Sequence, residues 1–392
     1  MIEIPHFVEI ISEICVLLFL REFVFNRLFT VKKLLLLVGG VLLSFSALTQ
    51  GVNFLTNDIR QAFAQAKAQR KIVFVEVYSK TCHHCAAFEP IFKEKSVADY
   101  YNQNFISYKL EVASADVRNF LTPKHLYAPS LPLFLFFDAN ENLLHFAMSN
   151  PTAAETIKHA QTALNPALRS ANFRNRYASG ERADGFLLDM AMYCRVVCDT
   201  TLNIKLMEDY ARRVAPAKYT DKTNWLVISK LLMDVENPMS KHLINHFATY
   251  KAKYDPKEVK LVAENLIMGS LYSGRGNKYD AAQIQQMRQY LVKIGIEPSS
   301  ANARTLLPEV NYYFRNKQTA KATARADDYL MHAKAQFADY AYIVKLFNNR
   351  AADASYVPVA KKWANKALTL VAANSTEAQE MRQELAKLNA RK

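Results

Sequence analysis

The sequence predicts an α/β domain followed by an all-α half, and three observations carry that expectation. The first is Cys82-His83-His84-Cys85, placed directly after the apolar run Ile72 to Tyr78, where a strand gives way to a helix. The second is a pair of further strand-like runs, Phe105 to Val112 and Leu133 to Asp138, with helical stretches between them. The third is a change of pattern from about Asn165 onward. There Leu187-Leu188, Met190-Ala191 and Val196-Val197 recur at helical spacing.

Taken in order, the chain reads as a helix near Asp58 to Ala68, the strand up to Tyr78, and a motif helix to about Lys95 that Pro90 should kink. A helical turn through Tyr100, the strand carrying Lys109 and a short helix near Asp116 to Lys124 follow. Pro132 then opens a strand, and a turn at Asn140-Glu141 leads to another at Asn142 to Met148. Asn150-Pro151 should open a helix to about Leu164, with Asn as cap and Pro filling the first turn. This order gives a mixed sheet with helices on both faces. Beyond it, Leu261 to Leu271 and Tyr340 to Phe347 read as helices. The tail Val359 to Leu370 alternates small and large apolar residues as in tetratricopeptide-like helix pairs, without a clean period of about 34 residues. The bland alternative is an unrelated helical bundle that only stabilises the first domain. Trp225 and Tyr312-Tyr313-Phe314 read as core rather than ligand site.

With 392 residues and 51% hydrophobic content, the chain supports more than one core. Residues 31–50 have the make-up of a secretory signal: basic Lys32-Lys33, the apolar Leu34 to Leu43, then small residues from Ser44 to Gln50. The expectation is that translation starts at position 31 and that 1–30 is an upstream segment the gene model wrongly includes. Cys15 to Leu20 is too short an apolar run to span a bilayer. A real membrane-anchored N-terminus is the rival. Export points to the periplasm, where an oxidising milieu suits a protein that uses a disulfide. Arg21, Arg27, Lys32 and Lys33 cancel Glu3, Glu9, Glu13 and Glu22, so the net charge of +14 belongs to the rest of the chain. Such a balance suits acidic partners, anionic envelope surfaces or nucleic acid, but the basic residues are scattered over helix faces and no nucleic-acid motif is present, so the charge reads as a solvated basic surface.

Two cysteines three apart at a strand-to-helix junction are placed to close into a disulfide and reopen. The helix N-terminus carries roughly half a positive charge, which favours a thiolate on Cys82. Cys82 is then the attacking sulfur and Cys85 the resolving one. Glu76, an acid in an otherwise apolar strand, is placed to take the Cys85 proton. Lys109, in the next strand, can reach back towards that carboxyl. An imidazolium at His84 would stabilise the reduced form and make the disulfide a stronger oxidant, with His83 adding to it or facing solvent. Three other readings compete with redox chemistry. A structural disulfide at this spacing closes almost no loop and gains little entropy. Zinc or copper is chemically reasonable, but four contiguous residues do not easily surround one metal, so no metal ligand is assigned. A c-type haem site needs His after the second cysteine, where Ala86 stands.

On these residues the chain resembles the thioredoxin superfamily over about 52 to 165, in particular thioredoxin-like envelope proteins of Gram-negative bacteria with a helical extension. Cys82 and Cys85 match the redox pair, Glu76 the buried acid, Lys109 the lysine of the central strand and Pro90 the helix proline. Pro132 matches the proline facing the disulfide, whose preceding peptide bond the family implies to be cis. Thr81 stands where the family usually has Trp, and Leu131 where Thr, Val or Ile is commoner. Both of those positions touch substrate in the family, which puts substrate preference in question.

The expectation is therefore an α/β thioredoxin fold over 51–165 followed by an all-α, helical-repeat-like domain over 166–392. Its function would be thiol-disulfide oxidoreduction on polypeptide cysteines in the bacterial envelope, with a redox partner protein, no cofactor and no nucleic acid. Cys82, Cys85, Glu76 and Lys109 would carry the chemistry, His83 and His84 would tune it, and Thr81, Leu131 and Pro132 would hold substrate. The alternative is a redox-sensing or metal-holding protein whose helical domain recruits a partner. Cys194 and Cys198, one helical turn apart, read as two core residues, with a strained disulfide or an electron relay as the other possibilities.

Overall fold

A computed structural model describes residues 51–56 and 58–391. The upstream segment 1–30 and the signal-like 31–50 lie outside the described residues. The first domain is built from β1 (Phe54–Leu55), α1 (Ile59–Gln69), β2 (Ile72–Tyr78), α2 (His83–Ala86), α3 (Phe88–Lys93), α4 (Lys95–Asn104), β3 (Phe105–Glu111), β4 (Leu133–Phe137), β5 (Leu143–Ala147) and α5 (Ala153–Leu164). Its sheet runs β1-β3-β2-β4-β5. β2 is parallel to β3 and antiparallel to β4, and β5 is antiparallel to β4 at one edge.

Strand alternation decides which side each residue serves. Val73, Val75 and Val77 of β2, with Leu133, Leu135 and Phe137 of β4, face one core. Phe74, Phe134 and Phe136 face the other, together with Phe88, Phe92 and Tyr101. Phe74 centres that second core, its ring 4.8 Å from Tyr101, 5.1 Å from Phe136 and 5.2 Å from Phe134. Each such buried aromatic contributes on the order of 2 to 3 kcal/mol. Glu76 shares the parity of Phe74, so its carboxyl enters this aromatic face. On the opposite side α1 buries Ile59, Ala62, Phe63 and Ala66, the spacing of one helix face, and Asp58 caps it by accepting the Arg60 N–H at 2.9 Å.

After α5 the chain is helical: α6 (Phe173–Ala178), α7 (Asp184–Val196), α8 (Thr200–Ala211), α9 (Lys222–Lys230), α10 (Pro238–Asn245), α11 (Phe247–Lys253) and α12 (Pro256–Leu271). It continues through α13 (Ala281–Lys293), α14 (Pro298–Arg315), α15 (Thr319–His332), α16 (Phe337–Arg350), α17 (Val357–Leu368) and α18 (Thr376–Ala390). Among the described residues no helix is long and apolar enough to cross a membrane. The Val73 side of the sheet shares one continuous core with helical residues from Phe173 to Ala301, and a separate core runs from Leu306 to Leu388. The sheet and the helices are also joined by polar contacts. Ser170 Oγ accepts the Phe146 N–H at 3.0 Å, and the Tyr127 N–H donates to the Val196 carbonyl at 2.8 Å. Trp225 is buried and stacks on Tyr254, while Phe314 is buried and Tyr312 and Tyr313 are half-buried.

Several local expectations change. The helix after Leu143–Ala147 is capped by Thr152, whose Oγ1 accepts the Glu155 N–H at 3.3 Å; Asn150 instead bonds its own amides to the Glu155 carboxylate. Thr152 wins because it directly precedes the helix, in extended backbone. The helix expected near Asp116 to Lys124 is a short π-helical turn, Val117–Leu121. Cys194 is fully buried, but Cys198 is exposed with φ 54°, because it sits just past the end of α7 where the chain turns left-handed. The reading of both as core residues fails for Cys198, and both are free thiols.

Candidate active site

Cys82 caps α2 at the carboxyl end of the central strand β2. Its Sγ accepts the Cys85 N–H at 3.2 Å and donates to the Leu131 carbonyl at 3.8 Å. The Leu131–Pro132 bond is cis, and Pro132 is buried at the start of β4 beside the motif. Cys82 is half-buried and reachable, whereas Cys85 is 4% exposed. Burial, with the hydrogen bond to Cys82 and the charges of Cys82 and Glu76 acting the same way, pushes the Cys85 thiol up to about 12. The two sulfurs are thus unlike by position: one faces incoming molecules, and the other keeps its proton unless a base removes it.

That base is at hand. Glu76 is 1% exposed, and burial pushes its carboxyl up to about 7 against the opposing pull of Lys109. Glu76 and Lys109 are direct register partners across β2 and β3, and Lys109 Nζ lies 3.5 Å from Glu76 Oε2. The contact is an ion pair without hydrogen-bond alignment, since Oε2 has no hydrogen-bond partner. Lys109 also pairs with Glu89 on α3 and lies 5.0 Å from the centre of the Phe54 ring and 5.3 Å from that of Tyr78. Burial pulls the Lys109 ammonium down, but Glu76 and Glu89 together outweigh it and hold it above its ordinary value.

The structure thus brings together Cys82, Cys85, Glu76, Lys109, Leu131 and Pro132. His83 and His84 are exposed on the first turn of α2, and among the described residues neither ring hydrogen-bonds a sulfur. Thr81 is exposed, its Oγ1 3.1 Å from Ser79 Oγ. Pro90 lies within α3, and the expected kink is a break at Ala87. The pyrrolidine ring would clash with the carbonyl of Ala86, four residues back, and α2 ends there. Glu89 and β1, which supplies Phe54, were missed by sequence reasoning. A two-residue strand has no periodicity to read, and Glu89 looks like any exposed helix acid until the fold sets Lys109 opposite it. Among the described residues no group of three or more His, Cys, Asp or Glu is arranged to hold a metal ion.

A sheet of this order with a Cys-x-x-Cys helix on its central strand, facing a cis-proline, defines a thioredoxin-like domain, here continued by a helical region. Residues 55–139 match the family model described as thioredoxin-like. Among solved structures, the chain is similar to a candidate disulphide-isomerase from Bacteroides thetaiotaomicron, at 22% identity over 30% of this chain and 98% of that one, with a TM-score of 0.27. It is also similar to a disulphide isomerase from Xylella fastidiosa Temecula1, at 14% identity over 26% of this chain and 77% of that one, with a TM-score of 0.20. Scores at this level say nothing about activity. A comparison with curated proteins returns no match.

Proposed function

We propose that the protein is a thiol-disulfide oxidoreductase of the bacterial envelope, acting on cysteines of polypeptide substrates through Cys82 and Cys85. The observation that carries the reading is the inequality of the two sulfurs, a reachable Cys82 at a helix start and a buried Cys85 behind it, with the buried Glu76 beneath. In the reducing direction the Cys82 thiolate attacks a substrate disulfide, and a mixed disulfide forms as one substrate thiolate leaves. Glu76 takes the proton of Cys85. The new Cys85 thiolate attacks Cys82 Sγ, closing the Cys82–Cys85 bond and releasing the second substrate thiolate. The reverse sequence delivers a disulfide. Backbone beside Pro132 suits an extended substrate segment held as an added strand, with Thr81 and Leu131 flanking it. Lys109 stabilises the charge on Glu76 while Glu89 opposes it, and His83 and His84 set how strongly the reduced form is favoured. Location in the envelope rests on the signal-like residues 31–50, and recycling requires a redox partner protein there.

The test is the reduction potential of the Cys82–Cys85 pair, set in graded glutathione buffers and read by counting alkylated thiols, alongside turnover of insulin. A potential of about −120 to −180 mV marks a disulfide donor, and one near −270 mV a reductase. A pair that fails to cycle, with no turnover, overturns the reading in favour of a binding module. Sequencing the mature N-terminus tests export: a start near residues 47 to 51 supports it, and recovery of residues 1–30 removes it.

A further inference from the structure

Two adjoining cavities open in the helical half. One, of about 460 Å³, is lined by Thr200 and Ile204 of α8 and by Ser273, Arg275 and Lys278 beyond α12. The other, of about 330 Å³, shares Thr200 and Ser273 and extends between α9 and α12 to Arg195. Neither lining contains an acidic side chain. Arg275 is already committed to Asp234 and Glu208. Arg195 and Lys278 form no ion pair among the described residues. Arg195 is half-buried: one of its terminal nitrogens donates to the Lys230 carbonyl, and its Nε is buried without a partner. A guanidinium keeps its charge in proteins, so this one is partly desolvated with nothing to balance it, a cost that a carboxylate would offset through charge-assisted hydrogen bonds.

The groove is also tied to the cysteine pair. Arg195 precedes Val196, whose carbonyl accepts the Tyr127 N–H at 2.8 Å. Four residues after Tyr127 comes Leu131, whose carbonyl accepts from the Cys82 thiol. Extended chain covers at most about 3.6 Å per residue, so this strap holds the Arg195 backbone, at one end of the groove, within roughly 25 to 30 Å of Cys82, the reach of about eight residues of extended peptide. Tyr127 itself stands 54% exposed along that route.

We infer that this groove docks the substrate polypeptide through an acidic segment flanking its reacting cysteine, with Arg195 and Lys278 receiving the carboxylates. The inference rests on the oxidoreductase reading, and it names what the helical domain selects. The net charge of +14 adds a long-range attraction for such a segment, one that salt weakens.

The test uses the reduced full chain and three synthetic peptides that differ only in an acidic, neutral or basic stretch about eight residues from a cysteine carried as a mixed disulfide with a chromogenic thiol. Release of that thiol gives the second-order rate constant, and the uncharged 2-hydroxyethyl disulfide serves as the control. The acidic peptide should react on the order of ten-fold faster than the neutral one, one charge-assisted contact. Arg195→Gln and Lys278→Glu should each remove most of that preference and leave the control unchanged. Equal rates for the three peptides, or variants that slow all of them alike, overturn the inference. Lys278 is exposed, so Lys278→Glu carries the test if Arg195→Gln misfolds. If the wild-type protein reduces none of these disulfides, the oxidoreductase reading has failed. Fluorescence anisotropy with a cysteine-free acidic peptide then decides the groove by itself: binding that both variants weaken supports it, and no binding removes it.

Discussion

Glu76 and Lys109 face each other across β2 and β3 as register partners, and the Lys109 ammonium lies 3.5 Å from a carboxylate that is 1% exposed. The lysine does not neutralise the cost of burying that acid. Glu89 shares its charge, and burial outweighs it, so Glu76 still holds its proton up to about 7.

Stability should therefore depend on pH in a set direction. The folded carboxyl keeps its proton to about 7, and the unfolded one releases it near 4.5, so the folded state binds the extra proton between those values. Stability contributed at this site falls as pH rises from about 4.5 to about 7 and is level above. At about 1.4 kcal/mol per pKa unit, the full loss is roughly 3 kcal/mol. Urea unfolding of the reduced protein from pH 5 to 8 should show this fall, and Glu76→Gln should remove it. A Glu76→Gln protein that falls as steeply as the parent refutes the assignment.

The same carboxyl should time the second half of the reaction. Burial holds the Cys85 thiol above its ordinary value, so its attack on the mixed disulfide needs a base. Glu76→Gln should slow resolution on the order of a hundred-fold at pH 7, the lower end of general-base catalysis, with the first attack by Cys82 little changed. Quenched-flow mass spectrometry would then catch the Cys82 mixed disulfide. In the parent the resolution rate should rise through about pH 7 and level off, whereas in Glu76→Gln it should keep rising with pH.

Glu89 and Lys109 should move that midpoint in opposite directions. The Glu89 charge raises the Glu76 carboxyl and the Lys109 charge lowers it. Glu89→Gln should thus shift the resolution profile to lower pH, and Lys109→Met should shift it higher and lower the rate at pH 6. Parallel shifts would show that the ion-pair chain does not control the acid.

The four described thiols should separate cleanly by accessibility. In the reduced native protein iodoacetamide should modify Cys82 and the exposed Cys198, and leave Cys85 and Cys194 until the chain unfolds. Burial pushes the Cys194 thiol up to about 12, which adds to its protection. Peptide mapping after a short pulse reads this directly, and early labelling of Cys194 would contradict the packing of α7.

Gly276 marks a tight approach behind the groove. A Cβ there would run into the carbonyls of Ser270 and Leu271, which are backbone and cannot swing aside. Gly276→Ala should cost about 1 to 3 kcal/mol, as overpacking does, and lower the thermal midpoint. An unchanged midpoint would mean that the turn after α12 gives way easily.

Local chemistry made much of this legible in the sequence. Glu76 stands out as an acid in the otherwise apolar run Ile72 to Tyr78, the Cys-x-x-Cys pair at a strand-to-helix junction names the two sulfurs, and helical spacing marks the second half. Those signals work because a strand's period of two and a helix's period of 3.6 are properties of the backbone alone. Pairings between distant segments have no such period. Only the tertiary structure set Glu89 against Lys109, brought Phe54 over the same ammonium, and tied the strap at Tyr127 to the end of α7. It likewise put Cys198 outside and Cys194 inside although the two are four residues apart, because the chain leaves its helix between them. The sequence by itself determined which atoms could react. The packing of sheet against helices decided which of them is buried, which is charged, and what can reach them.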